Sequence, residues 1–266
     1  MDRIVCSWCQ FQTEATRTSC STCGAPLDVA KTVSASGWRE APRLRDMTEF
    51  KAGNGTCQIV GEVVPVAEFT LTDADVVFFE QHTLLWKQRE VSLAGRALGG
   101  GVRRVAAGMP YAVVEATGPG RIAFTRDASG EVVVLPLHPE AEVDVRGHAF
   151  LVATQNVGYD FVRINGLANL LHGGSGMYLD RFVAHQGPGL LLLHGFGNVF
   201  ERRLADGERI QVEPGGFLYK DASVTMTTVK VPYGSGGLRS RTAYLAELAG
   251  PGRVGIQSMY VHVHTG

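Results

Sequence analysis

The tripeptide Gly-Pro-Gly occurs three times in this chain, and its recurrence limits the possible folds more than any other feature of the sequence. The occurrences begin at Gly118, Gly187 and Gly250, and apolar segments with the composition of β-strands flank each of them. With 33 Gly and 11 Pro in 266 residues, chance alone would give roughly 0.2 occurrences. The spacing of about 65 residues therefore indicates an internal repeat.

The rest of the sequence after Gly55 predicts an all-β protein, with a sandwich or barrel fold. Short runs of Val, Ile, Leu, Phe and Thr are interrupted by Gly, Pro, Asp or Asn about every 6 to 12 residues. Because proline fixes φ and glycine tolerates positive φ, each Gly-Pro-Gly is predicted to be a turn between strands. The second unit aligns with the third with few gaps, for example Phe150 with Phe217. Three repeats are predicted, at about residues 70–126, 136–195 and 203–264.

Four of the five cysteines form two Cys-x-x-Cys pairs near the N-terminus. This spacing predicts a closed tetrahedral zinc site, because four thiolates are typical ligands of structural Zn²⁺. A unit this small cannot bury enough apolar surface to fold alone, and metal binding supplies the missing free energy. Disulfides or redox pairs are the alternatives, but no apolar signal segment and no βαβ pattern accompany the cysteines. We expect a zinc ribbon over residues 1–30, with the ligands Cys6, Cys9, Cys20 and Cys23.

Residues 31–54 are predicted to be a linker, and residues 55–266 the three-repeat β domain. The linker segment is rich in Ser, Gly, Pro and charged residues and shows little apolar periodicity. The net charge of -1 gives no basic surface for nucleic acid. No apolar run reaches the length that a membrane-spanning helix needs. We therefore expect a cytoplasmic protein without a membrane span.

Two stretches resemble a known family, that of altered inheritance of mitochondria protein 24. They are residues 173–182 (GGSGMYLDRF) with the following Gly-Pro-Gly, and residues 213–218 (EPGGFL). The resemblance covers roughly residues 57–266. It implies a fold similar to the tryptophan RNA-binding attenuation protein, with β-sandwich units in a pseudo-threefold arrangement. It implies no enzymatic activity and no catalytic residues, and family members fused to an N-terminal zinc ribbon fit this layout.

No catalytic motif emerges from the remaining residues. Ser175 lacks the last glycine of G-x-S-x-G, and the loop from Gly99 to Arg104 could cradle an anion but lacks the lysine of a P-loop. His262 and His264 would share one face of a terminal strand, which could begin a metal site. The other histidines are predicted to be solvent-facing or hydrogen-bonded at strand ends.

These observations favour a non-catalytic binding or scaffold protein that associates with a protein partner or with itself. The zinc ribbon would then be an appended contact module. One alternative is a ligand- or nucleic-acid-binding module, by analogy of fold. The other is a metal-dependent enzyme of the double-stranded β-helix type, which only the paired histidines suggest.

Overall fold

The structure is a computed structural model, and its two compact units comprise residues 1–40 and 41–266. In the first unit, β1 (Arg3–Val5) pairs antiparallel with β2 (Gln12–Glu14), and β3 spans Arg39–Glu40. The structure describes residues 3–5, 12–14, 19–22, 34, 36–40, 47–99, 104, 112–164, 177–185, 187–233 and 241–259.

The second unit is built from antiparallel strands, which confirms the predicted all-β class. Short 3-10 turns at Gln81–Thr83 and Pro214–Gly216 precede two of them. No helix among the described residues is long and apolar enough to cross a membrane. The strands are β4 (Thr48–Ala52), β5 (Gly55–Val60), β6 (Val66–Leu71), β7 (Val76–Phe79), β8 (Leu84–Lys87), β9 (Ser92–Ala97), β10 (Ala112–Thr117), β11 (Gly120–Phe124), β12 (Gly130–Leu137), β13 (Glu142–Arg146), β14 (Phe150–Thr154), β15 (Val157–Ile164), β16 (Met177–Ala184), β17 (Gly189–Phe196), β18 (Val199–Leu204), β19 (Arg209–Val212), β20 (Phe217–Asp221), β21 (Thr225–Tyr233), β22 (Arg241–Ala249) and β23 (Gly252–Gln257).

These strands form four sheets. Sheet A has the order β4-β5-β6-β11-β8, and sheet B has the order β12-β17-β14-β7-β10-β9. Within the second unit, sheet C runs β15-β16-β13-β20-β23-β18, and sheet D is β19-β22-β21. Each Gly-Pro-Gly connects strands of two different sheets, for example β10 in sheet B with β11 in sheet A. The tripeptide is thus a corner at which the chain passes from one sheet to another. A hairpin turn would instead join two neighbouring strands of the same sheet.

The strand after each Gly-Pro-Gly lies between two partners. β11 pairs with β6 and β8, β17 with β12 and β14, and β23 with β18 and β20. The first glycine is required at two corners because another backbone approaches closely there. A Cβ atom on Gly118 would lie 2.1 Å from the carbonyl oxygen of Thr72, and one on Gly250 would lie 2.2 Å from that of Ala205. A side chain cannot fit at these positions without moving the chain.

The central strands of sheet B, namely β7, β14 and β17, are buried on both faces, so the second unit has two apolar cores. On β7, Phe79 contacts Phe124 of sheet A with ring centroids 4.7 Å apart. Its neighbour Phe78 faces the other way and belongs to the core that contains Phe150 and Phe182, whose rings are 4.8 Å apart. Burial on both faces explains why strands such as β7 are continuous apolar runs without alternation.

Part of the segment predicted to be a linker is a strand. Residues Thr48–Ala52 form β4, which pairs with β5 at the edge of sheet A. The carboxylate of Asp75 holds the connecting turn, because it accepts hydrogen bonds from the N–H of Asn54 at 2.8 Å and from Thr72 Oγ1 at 2.7 Å. Burial alone would raise the pKa of Asp75, but these bonds lower it below its ordinary value. A polar edge strand has the composition of a linker, so the sequence did not reveal it.

Candidate functional site

A cavity of about 470 Å³ opens on the second unit where three connections meet. One is the 3-10 turn after β7, another follows β11, and the third joins β13 to β14. The hydroxyl of Thr83 lies 3.0 Å from the carbonyl oxygen of Leu151, which fixes the 3-10 turn against β14. The residues that line the cavity are Glu80, Gln81, His82, Ala112, Arg126 and His148.

Glu80 connects this cavity to a buried hydrogen-bonded pair. The Tyr159 hydroxyl donates to Asp180 Oδ1 at 2.8 Å, and the same hydroxyl lies 3.3 Å from Glu80 Oε1. Burial raises the pKa of Asp180 to about 7; the Tyr159 hydrogen bond lowers it and the charge of Glu80 raises it further. The Tyr159 hydroxyl thus connects the Asp180 carboxyl, whose pKa is near neutral, to Glu80 in the cavity wall.

Arg126 supplies the positive charge of the wall. Its side chain is 8% exposed, and its terminal nitrogen donates to the carbonyl oxygen of His148. Burial lowers the pKa of Arg126, and the charge of Glu80 opposes this effect. Among the described residues, Arg126 Nε finds no hydrogen-bond acceptor. A buried donor left without a partner costs about 1–3 kcal/mol, and a ligand oxygen at this place would remove that cost.

His82 is held neutral beside this charge. Its Nε2 lies 3.4 Å from Glu80 Oε2. Burial and then the charge of Arg126 lower the pKa of His82, although Glu80 raises it. The cavity therefore presents the Arg126 cation, the Glu80 carboxylate and the imidazoles of His82 and His148, with the Asp180 carboxyl nearby. The arrangement can donate to a ligand from Arg126 and accept from it at Glu80.

Arg104 is engaged by protein groups. Its guanidinium carbon lies 4.9 Å from the centre of the Tyr159 ring, and a terminal nitrogen donates to the Tyr159 carbonyl at 2.7 Å. Its Nε donates to the carbonyl of Gly99 at 3.0 Å. Arg104 thus helps to hold Tyr159 in place, and these contacts occupy the side chain that the sequence suggested for an anion cradle. Residues 100–103 of that loop lie outside the described residues.

A family model described as mitochondrial biogenesis AIM24 matches residues 57–259. The chain belongs to this family. The family resemblance drawn from the sequence is therefore confirmed. The crystal structure of protein SPYM3_0169 from Streptococcus pyogenes superposes with a TM-score of 0.56 at 20% sequence identity, covering 77% of this chain and 93% of that one. At this identity the likeness shows a shared fold. No curated protein matches the sequence.

The metal ligands predicted from the sequence fall largely outside the part of the chain that the structure describes. Cys20 is 3% exposed, and the backbone N–H of Thr22 donates to its sulfur at 3.4 Å. Among the described residues, no group of three or more His, Cys, Asp or Glu side chains is placed to hold a metal. The other three predicted ligands, Cys6, Cys9 and Cys23, lie outside them, and so do His262 and His264.

Sequence reasoning missed the side chains around the cavity. Glu80, Arg126, Tyr159 and Asp180 come from separate parts of the sequence, and no short motif joins them. The sequence offered one signal for a buried polar site at Asp180, because this charged residue lies in the middle of a largely apolar strand. A charge at such a position is buried and needs a partner, which here is the Tyr159 hydroxyl.

The scattered histidines were predicted to be solvent-facing or hydrogen-bonded at strand ends, and His194 is of the hydrogen-bonded kind. It is fully buried on β17, with Nε2 3.1 Å from the carbonyl oxygen of Ala128. Burial, reinforced by the charge of Arg126, lowers the pKa of His194 to about 4. His194 is therefore a neutral core residue at physiological pH.

Proposed function

We propose that this chain is a non-catalytic binding or scaffold protein of the AIM24 family, which associates with a protein partner or with itself. The observation that carries the proposal is the exposure of large apolar side chains on two consecutive edge strands, which together are called the apolar strip. Leu85 and Trp86 on β8 are 51% and 39% exposed, and Leu93 on β9 is 41% exposed. β8 ends sheet A, and β9 ends sheet B. A sheet edge with large exposed apolar side chains is suited to binding another chain.

The domain that presents this strip is proposed to consist of three repeats, in a fold like that of the tryptophan RNA-binding attenuation protein. The shared pairing of β11, β17 and β23 supports this proposal. A recurring register shift also supports it. The shift occurs where β8 pairs with β11, β14 with β17 and β20 with β23, and it leaves Leu85, Leu151 and Leu218 without a directly opposed residue. Independent sheets would have no reason to share an irregularity at the same position.

The state of the buried nucleophiles supports a role without catalysis. Cys57 is fully buried, and burial raises the pKa of its thiol far above the neutral range. Burial also raises the pKa of Tyr159, so its hydroxyl stays protonated. A thiol needs a lowered pKa or an adjacent base to react as a nucleophile, and the pKa of Cys57 shows the opposite shift.

We further propose that residues 1–30 bind one structural Zn²⁺ through Cys6, Cys9, Cys20 and Cys23. The N–H of Thr22 that points at Cys20 Sγ supports a thiolate at this position, since such a donor stabilises negative charge on sulfur. Cys6 and Cys9 also fall in the sequence between the paired strands β1 and β2. The metal would supply folding free energy to a unit with little core of its own.

Affinity purification from the native host tests the binding role. The full chain should retain a reproducible protein partner or a second copy of itself, and Trp86→Asp should lose it because the strip becomes charged. Val63→Asp is the matched control, since Val63 is 68% exposed on the connection between β5 and β6. A chain without residues 1–30 shows whether the zinc module contributes. If the full chain retains neither a partner nor itself, the proposal is wrong.

Metal analysis tests the zinc module separately. The purified full chain should contain one zinc per chain, and the paired change Cys20→Ser and Cys23→Ser should remove it. The paired change His262→Ala and His264→Ala should leave the zinc content unchanged. A loss of zinc when the two histidines are replaced would instead favour the metal-dependent enzyme.

Binding of a small ligand is the second candidate function, because Arg126 Nε is buried without an acceptor among the described residues, beside the cavity. Small carboxylates and phosphates are the probes that match a guanidinium donor. A rise in melting temperature with such a probe in the wild-type chain, absent in Arg126→Met, would favour this function. An equal response of both chains would count against it.

A further inference from the structure

The wall of the cavity contains one hydrogen-bond donor that the described residues leave unused. Arg126 is 8% exposed, and its Nε has no acceptor among them. A terminal nitrogen of the same guanidinium donates to the carbonyl oxygen of His148, which fixes the side chain in place. A fixed guanidinium with an unused N–H is suited to bind an oxygen of an anion.

The backbone of His148 is strained at the point where it holds Arg126. His148 has a φ of 68°, in the left-handed region that residues other than glycine rarely adopt. The next residue is fixed as well, because the carbonyl oxygen of Ala149 accepts a hydrogen bond of 2.8 Å from the N–H of His194. Strained conformations of this kind persist only where the surrounding structure imposes them, and they cluster at ligand sites.

The charges around Arg126 are unfavourable for an anion while His82 is neutral. Arg126 is the permanent cation among the lining residues, and the carboxylate of Glu80 acts on it. Asp127, the exposed neighbour of Arg126, adds a second negative charge that acts on both Arg126 and His82. An anion at Arg126 would therefore meet one cation and two carboxylates. A second positive charge is needed to balance them.

His82 is placed to supply that charge. Its side chain is 48% exposed, so a proton can reach it from solvent, and its Nε2 lies 3.4 Å from Glu80 Oε2. A neutral imidazole has one N–H, whereas a protonated imidazole donates from both nitrogens. A protonated His82 could therefore donate to Glu80 with Nε2 and to a ligand with Nδ1.

The charge of Arg126 helps to keep His82 neutral when no ligand is bound. Burial and then Arg126 lower the pKa of His82, and His148 acts in the same direction, whereas Glu80 and Asp127 raise it. An anion bound to Arg126 would offset the effect of that charge and add a negative charge beside the imidazole. The pKa of His82 would then rise, so the anion and the proton would each strengthen the binding of the other.

We propose that the cavity binds a small carboxylate between Arg126 and a protonated His82, and that each ligand enters together with one proton. The inference rests on ligand binding, the second candidate function, and specifies its ligand class and its regulation. A carboxylate fits because its two oxygens can accept from Arg126 Nε and from His82 at the same time. The cavity volume of about 470 Å³ limits the ligand to a small molecule.

The affinity then depends on pH in one direction. In the free protein the pKa of His82 lies below its ordinary value of 6.5, and the bound ligand raises it. The gain in affinity is fully present below the pKa of the free protein and is lost as pH rises through the pKa of the complex. With one proton per ligand, the Kd rises by up to about tenfold for each pH unit in that window.

NMR titration of the full chain with sodium acetate tests the coupling, with sodium chloride at equal ionic strength as the reference. Acetate stays ionised from about pH 5.5 to 8, so its own titration does not contribute. Between about pH 6 and 7.5 the Kd should rise about fivefold or more, and saturating acetate should raise the pKa read from the His82 ring signals by about one unit. The pKa of His138 should not change, since His138 is exposed on the connection between β12 and β13.

Two variants assign the proton and the anion. His82→Gln keeps a hydrogen-bond donor but does not titrate, so it should weaken acetate binding at pH 6 and remove the pH dependence. His138→Gln is the matched control and should retain both. Arg126→Met should abolish binding, and the His82 signals of the wild-type chain give an independent measurement if this variant does not fold.

The outcomes separate the inference from the function on which it rests. If acetate shifts no histidine signal of the wild-type chain at pH 6, both the inference and the ligand-binding function are wrong. Binding that has the same Kd at every pH leaves the ligand-binding function standing and overturns the proton coupling. A pH dependence that persists in His82→Gln, or binding that persists in a folded Arg126→Met, also overturns the inference.

Discussion

The Lys220 ammonium donates a hydrogen bond of 2.7 Å to Asp144 Oδ2 across the junction between β20 and β13. Both groups are buried, with 4% and 1% of their surface exposed. Arg181 on β16 donates to the two oxygens of the same carboxylate, at 2.6 Å to Oδ1 and 3.0 Å to Oδ2. One carboxylate therefore ties three neighbouring strands of sheet C, at the place where two of the proposed repeats meet.

Lys220→Met should lower the free energy of unfolding by about 2 kcal/mol, because the buried Asp144 carboxylate then keeps Arg181 as its only cationic partner among the described residues. Urea denaturation monitored by tryptophan fluorescence measures the difference. Lys230→Met on β21 is the control, since Lys230 is exposed. If the two variants are equally stable, the ion pair contributes nothing to the junction.

Asp180→Asn should remove a pH dependence of stability. The raised pKa of about 7 means that the folded state binds this proton more tightly than the unfolded state does. The resulting stability is fully present below the ordinary pKa of about 4 and is lost as pH rises through 7, by up to roughly 4 kcal/mol. Denaturation curves from pH 4 to 8 should show that the free energy of unfolding of the variant rises relative to that of the wild type as pH rises. A constant difference between the two would mean that Asp180 does not titrate in this range.

His194→Gln should change the pH dependence in the opposite direction. Its pKa of about 4 lies below the ordinary histidine value, so the folded state favours the neutral imidazole. The stability from this group is present above pH 6.5 and is lost as pH falls toward 4, by up to about 3 kcal/mol. The variant should therefore lose less stability than the wild type between pH 6.5 and 4. Parallel curves for the two chains over that range would contradict the buried, neutral state of His194.

Gly250→Ala should destabilise the chain by more than about 2 kcal/mol, since the new Cβ would lie 2.2 Å from the Ala205 carbonyl oxygen. Gly147→Ala is the matched control, because a Cβ at Gly147 meets no described atom within 4 Å. Thermal unfolding of the two variants measures the difference. Equal melting temperatures would show that the corner relaxes freely and does not require glycine.

The sequence predicted what local chemistry determines. Strand composition predicted the all-β class, and the fixed φ of proline with the freedom of glycine predicted a direction change at Gly118, Gly187 and Gly250. Whether that change is a hairpin or a corner depends on which sheet each strand joins, and this is decided by contacts between distant residues. The edge strand Thr48–Ala52 was missed for a related reason, because its polar side chains resemble those of a linker.

The cavity could not be predicted from spacing. Glu80, Arg126 and Asp180 lie far apart in the sequence and meet only through the stacking of sheets, so no motif records their proximity. The pKa of Asp180 depends on burial, which a single sequence does not give at one position. The apolar strip was hidden as well, because neighbouring apolar residues also occur in buried strands such as Phe150–Thr154, and Trp86 differs from them in its exposure.

Sedimentation velocity of the full chain over a hundredfold range of concentration tests the scaffold account most directly. The wild type should sediment as species with masses that are multiples of 28.6 kDa, and Trp86→Asp should shift the distribution to the single chain while Val63→Asp does not. A wild-type chain that stays at 28.6 kDa at every concentration would contradict self-association through the β8 edge.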